Sequence, residues 1–70
     1  MSISEEIRQI RQTAVLSQED FARELDVSFA TVNRWENGKT KPTYKALKAI
    51  DAFCKERNIS FDAKALLAKE

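Results

Sequence analysis

The sequence predicts an all-α fold, a compact bundle of five short helices forming one domain. Three observations carry this. Apolar residues recur at three- and four-residue spacing along most of the 70-residue chain, and no stretch alternates as a half-buried strand does. Ser2, Ser17, Ser28 and Ser60 each precede such a run, where a hydroxyl can cap the free amides of a first helical turn. One Gly and one Pro leave little material for a loop-rich chain. A chain this short holds a single small core, so most of its apolar residues must be structural.

Ser2 with Glu5 three residues on is a capping-box signature. Ile3, Ile7, Ile10 and Ala14 then recur at helical spacing, which predicts a first helix from about Ile3 to Thr13. The second helix follows Ser17 and runs to about Leu25. Leu16 before the cap and Phe21 at the fourth helical position fit a hydrophobic staple, and Phe21, Ala22 and Leu25 face the core. The third helix, about 28–37, repeats the device with Val27 and Val32, and turns Val32 and Trp35 inward. Gly38 suits the left-handed residue that ends a helix. Asn37-Gly38 is also a hairpin-turn pair, but neither flank alternates like a strand.

Lys39-Thr40-Lys41-Pro42 is a short connector, and a fourth helix starts near Thr43. Its apolar stripe is Leu47, Ile50, Phe53 and Cys54, with Ala46 and Ala49 beside it. Lys55 and Arg57 suit its C-terminal dipole, and Asn58 suits a closing left-handed turn. Ser60 then caps a last helix, about 61–68, whose Phe61, Ala65, Leu66 and Leu67 pack on the core or on a second subunit.

The second and third helices, each capped and with almost nothing between them, form a helix-turn-helix spanning about 17–38. The second helix of such a unit commonly enters the DNA major groove. Charge distribution agrees. Residues 1–27 carry three Arg against six acids, a net −3. Residues 28–48 carry Arg34, Lys39, Lys41, Lys45 and Lys48 against Glu36, a net +4, and residues 49–70 balance. A localised basic excess is the footprint expected of a phosphate-binding face.

Other classes find no support. The chain has no His, hence no Ser-His or Cys-His base and no His metal site. It has no Gly-rich phosphate loop. The acid pairs Glu5-Glu6 and Glu19-Asp20 sit in first helical turns, where the dipole favours them. We expect no catalysis, no cofactor and no metal. No apolar run approaches the roughly 20 residues of a membrane span, and the acidic start is unlike a signal peptide. One cysteine excludes an internal disulfide and fits a reducing cytoplasm. Cys54 lies on an apolar stripe, as a buried inert thiol would.

From about Ile7 to Phe53 the sequence resembles the Cro/C1-type (XRE) helix-turn-helix proteins, the phage-repressor class. The matching elements are Leu16-Ser17-Gln18-Glu19, Leu25-Asp26-Val27-Ser28, Val32-Asn33-Arg34-Trp35-Glu36-Asn37-Gly38 and Lys39-Thr40-Lys41-Pro42. The resemblance implies a five-helix lambda-repressor-like domain. It implies a repressor-like transcriptional regulator in a bacterial or phage cytoplasm, binding a palindromic double-stranded DNA operator as a homodimer. The alternative is a protein-interaction module on the same fold, with an antitoxin-type protein partner. One position departs: the family usually has Gly where this chain has Asp26, in a left-handed turn that costs Asp roughly 1 kcal/mol.

Residue by residue, the resemblance implies that Gln18 clamps a phosphate beside the amides of its helix start. Ser28 caps the third helix and secondarily touches a phosphate or base. The base readers are Phe29, Ala30, Thr31, Asn33 and Arg34. Ala30 and the Thr31 methyl suit a thymine methyl, Asn33 an adenine, and Arg34 a guanine or a phosphate. Phe29 either touches a thymine methyl or folds back onto the protein. Asn37, Lys39, Thr40 and Lys41 follow the phosphate backbone, extended by Tyr44 and Lys45. Arg11 pairs with Glu36 and ties the third helix to the core.

Overall fold

The structure, a computed structural model, describes residues 2–61. Four helices follow one another: α1 (Ile3–Thr13), α2 (Gln18–Leu25), α3 (Phe29–Glu36) and α4 (Tyr44–Glu56). No strand occurs among the described residues. Among the described residues the fold is thus all-α, with four helices; the expected count of five is not supported. The expected helix at 61–68 lies outside the described residues except for Phe61, which is not helical.

Each helix starts on a hydroxyl cap. The Oγ atoms of Ser2, Ser17 and Ser28 accept from the amides of Glu5, Asp20 and Thr31, and Thr43 Oγ1 accepts from Ala46. Each bond satisfies one of the amide donors a helix start leaves open. The ends are equally regular. In all four, a left-handed residue turns the chain and the next amide reaches back five residues. The left-handed residues are Val15, Asp26, Gly38 and Asn58, with φ of 58°, 59°, 72° and 57°. The returning bonds are Leu16 to Arg11, Val27 to Ala22, Lys39 to Arg34 and Ile59 to Cys54. This six-to-one closure satisfies carbonyls that the helix end leaves free. Asp26 takes the left-handed backbone expected of it. Nothing in the sequence marks Val15, a β-branched residue in a conformation that disfavours it.

Packing follows the apolar stripes. Ile7 and Ile10 of α1, Phe21, Ala22 and Leu25 of α2, Val32 and Trp35 of α3, and Ile50, Phe53 and Cys54 of α4 form one buried cluster. The staple residues Leu16 and Val27 pack against it, as do Ile59 and Phe61. Phe21 and Phe53 meet edge to face with centroids 5.2 Å apart, joining α2 to α4. α3 contacts both α1 and α2, so the core settles the position of the second helix-turn-helix helix.

Candidate nucleic-acid interface

α3 has one inward face and one outward face. Val32, Trp35 and Glu36 are buried. Phe29, Ala30, Arg34 and Asn37 are exposed, and Thr31 and Asn33 are half-buried at the margins. At 100° per residue, Ala30, Arg34 and Asn37 lie opposite the buried triad. The structure therefore brings the expected groove readers onto one surface. Phe29 does not fold away: half of it is exposed. Ser28 and Thr31 are bound to each other as well as to the helix start, their hydroxyl oxygens 2.8 Å apart.

The connector adds charge beside this surface. Lys39, Thr40 and Lys41 are exposed, and so are Arg34, Lys45 and Lys48. Among the described residues none of these five cations enters an ion pair; the pairs formed use Arg8, Arg11, Arg23, Lys55 and Arg57. Lys48 instead sits 5.7 Å from the Tyr44 ring centroid. Pro42 is buried and pins the connector to the domain.

Beneath the surface lies a buried carboxylate. Glu36 is the one buried charged residue among those described, at 3% exposure. Its Oε2 accepts from Arg11 Nε at 2.7 Å, and its Oε1 accepts from Arg11 Nη2 at 2.9 Å. Arg11 Nη1 donates to the Leu16 carbonyl, tying the α1–α2 turn into the same group. These hydrogen bonds with Glu36 raise the Arg11 guanidinium above its ordinary pKa, outweighing the burial that would lower it. Arg8 Nη2 donates to the Glu36 backbone carbonyl at 2.9 Å, near the negative end of α3. Arg8 was legible only indirectly, as a residue one turn before Arg11 on the same face of α1.

Glu36 also begins a chain of amides. Gln18 Nε2 donates to Glu36 Oε1 at 3.0 Å, Asn33 Nδ2 to Gln18 Oε1 at 3.2 Å, and Asn37 Nδ2 to Asn33 Oδ1 at 3.0 Å. Gln18, half-buried, thus stands at the start of α2 with one amide hydrogen spoken for and a second without a partner among the described residues. The sequence signalled Gln18, Asn33 and Asn37 separately; their linkage appears only in three dimensions.

A helix-turn-helix family model matches residues 7–60. The chain belongs to the Cro/C1-type helix-turn-helix family. It is similar to the HTH-type transcriptional activator BcrR of Enterococcus faecalis, 38% identical over 53 residues that make up 76% of this chain and 26% of that protein. It is also similar to the uncharacterized HTH-type transcriptional regulator YiaG of Escherichia coli strain K12, 46% identical over 45 residues, 64% of this chain and 47% of that one. The chain thus spans less than half the length of these curated relatives. No solved structure matches it significantly. No helix among the described residues is long and apolar enough to cross a membrane.

Proposed function

We propose that this chain is a sequence-specific, double-stranded DNA-binding module of a transcriptional regulator, acting in the cytoplasm and inserting α3 into the major groove. One observation carries the reading: the outward face of α3 collects polar and small readers with the exposed Arg34, and the connector that leaves α3 carries the exposed Lys39 and Lys41, none of the three in an ion pair among the described residues. Phe29, Ala30, Thr31 and Arg34 read base edges and thymine methyls. Gln18, Ser28, Asn37, Lys39, Thr40 and Lys41 hold phosphates on either side. Asn33 is adjacent to both sets. Membership of the family and the regulator names of both relatives support this reading.

One eight-residue helix contacts few base pairs. We therefore infer a homodimer on DNA, with two α3 helices about 34 Å apart on a palindromic operator. The connector after α3 would contribute to the dimer surface. Regulation would be repressor-like, through an operator that overlaps a promoter; one similar protein is named an activator. The chemistry asks for no catalysis and no cofactor.

The test is selection of sites from a randomised duplex library, with enriched sites retested across a salt series. A two-fold symmetric motif supports a dimeric, sequence-specific regulator. Salt-sensitive binding without a motif would reduce the role to phosphate holding. No binding to any duplex would refute the reading and favour a protein-interaction module.

A further inference from the structure

We infer that Asn33 is a positioning residue which couples the two phosphate-holding amides, Gln18 and Asn37, to the buried Glu36 carboxylate, and does not itself read a base. The inference deepens the DNA-binding reading and rests on it. The direction of the amide chain follows from chemistry. A carboxylate only accepts hydrogen bonds, and Glu36 already accepts twice from Arg11. Gln18 must therefore turn its nitrogen toward Glu36, which leaves its oxygen facing Asn33. Asn33 must then present its nitrogen to Gln18 and its oxygen to Asn37. Each amide orientation is dictated by the one below it, down to a charge fixed in the core.

Reading adenine takes both ends of an Asn amide, the oxygen accepting and the nitrogen donating. Nδ2 and Oδ1 of Asn33 each already hold one protein partner, Gln18 and Asn37, so its amide plane is set by those two bonds and is not free to turn toward a base. Asn33 is half-buried, whereas Asn37 is exposed, and both Asn37 and Gln18 keep a second amide hydrogen for a phosphate oxygen. Asn33 thus links a clamp at the start of α2 to a clamp at the end of α3, across the face that meets the groove. Oriented in advance, the two clamps lose less conformational freedom on binding.

The experiment compares the wild-type chain, Asn33→Ala, the double variant Gln18→Ala/Asn37→Ala and the triple variant. Each is titrated against a duplex carrying the selected site and an unrelated duplex of equal length, and site selection is repeated for Asn33→Ala. The expected result is a loss of about fivefold in Asn33→Ala affinity for both duplexes alike, the scale of one to two neutral hydrogen bonds. The preferred motif stays the same, and so does the slope of affinity against salt, because no charge is removed. In the Gln18→Ala/Asn37→Ala background the Asn33→Ala loss disappears, as coupled residues require. A changed preference at one base pair, with loss confined to the selected duplex, would overturn the inference and restore Asn33 as a reader. An equal loss in both backgrounds would also overturn it. If the wild-type chain binds neither duplex, the DNA-binding reading itself falls, and the coupling role falls with it.

Discussion

Replacing Glu36 with Ala should destabilise the fold by about 3–5 kcal/mol, the usual cost of leaving one member of a buried ion pair alone. The Glu36 side chain is 2% exposed and that of Arg11 16%, so water cannot replace the lost contact. The substitution strands Arg11 Nε and Nη2 and removes the acceptor of Gln18 Nε2. At about 0.05–0.15 kcal/mol per residue, a chain of this length has a total stability of only about 4–10 kcal/mol. The loss should therefore lower the melting temperature by about 12 °C or more, at about 4–8 °C per kcal/mol for a domain this small. Urea and thermal unfolding followed by circular dichroism measure it. Glu36→Gln serves as the isosteric control: one of its two end atoms donates, so one contact breaks while the shape remains, and the loss should be about 1–3 kcal/mol. The pair Arg11→Met/Glu36→Leu should recover much of the loss, since apolar replacements of a buried pair are often neutral or better. A Glu36→Ala cost below about 1 kcal/mol would place the pair among exposed salt bridges and refute the argument.

Three further outcomes follow from single features. Val15→Gly should raise stability by about 1 kcal/mol, because relief of the left-handed strain exceeds the added freedom of the unfolded chain; a lower urea midpoint would contradict it. Ser28→Ala should cost about 1 kcal/mol through the cap of α3, and an unchanged midpoint would mean that the Ser28 hydroxyl contributes nothing. Burial pushes the Cys54 thiol up from 9.0 to about 11, with the charge of Asp51 adding to it. The unfolded chain then loses that proton first, so stability contributed by the buried thiol is full below pH 9 and declines as the pH rises toward 11. Native protein near pH 8 should accordingly react with thiol reagents only at its opening rate, and fast labelling would show Cys54 to be accessible.

What was legible in the sequence was whatever local chemistry decides. The Ser2, Ser17 and Ser28 caps, the two staples and the stripe of α4 each act within a few residues, and the helices start where those signals stand. Asp26, Gly38 and Asn58 tolerate left-handed backbone, so their turns were readable too. Val15 was not, because no propensity favours a β-branched residue there; the closure is imposed by Leu16 having to reach the core. The site divides the same way. The outward placement of Ala30 and Arg34 follows from helical period once Val32 and Trp35 face inward. The grip of Arg8 on the Glu36 carbonyl, and the chain from Glu36 through Gln18 and Asn33 to Asn37, join residues 15 or more positions apart or hang from such a join. No periodicity encodes those bonds.

That division explains how so small a helix can present a defined surface. Eight residues are too few to hold a helix in isolation, where about 12–15 are marginal. α3 exists because Val32 and Trp35 anchor one side of it, Ser28 closes its start and Gly38 closes its end. Apolar contacts alone constrain rotation about the helix axis weakly, since neighbouring apolar side chains can repack at modest cost. A bidentate Arg11–Glu36 contact does not slide in that way: its two bonds, 2.7 and 2.9 Å, require one orientation of both planes. Glu36 lies on α3 itself, so this contact sets the rotation of α3 about its own axis. The same carboxylate orders the amide chain that reaches the exposed face. One buried charge therefore sharpens the rotation that Val32 and Trp35 set coarsely, and orders the polar groups beside the outward face.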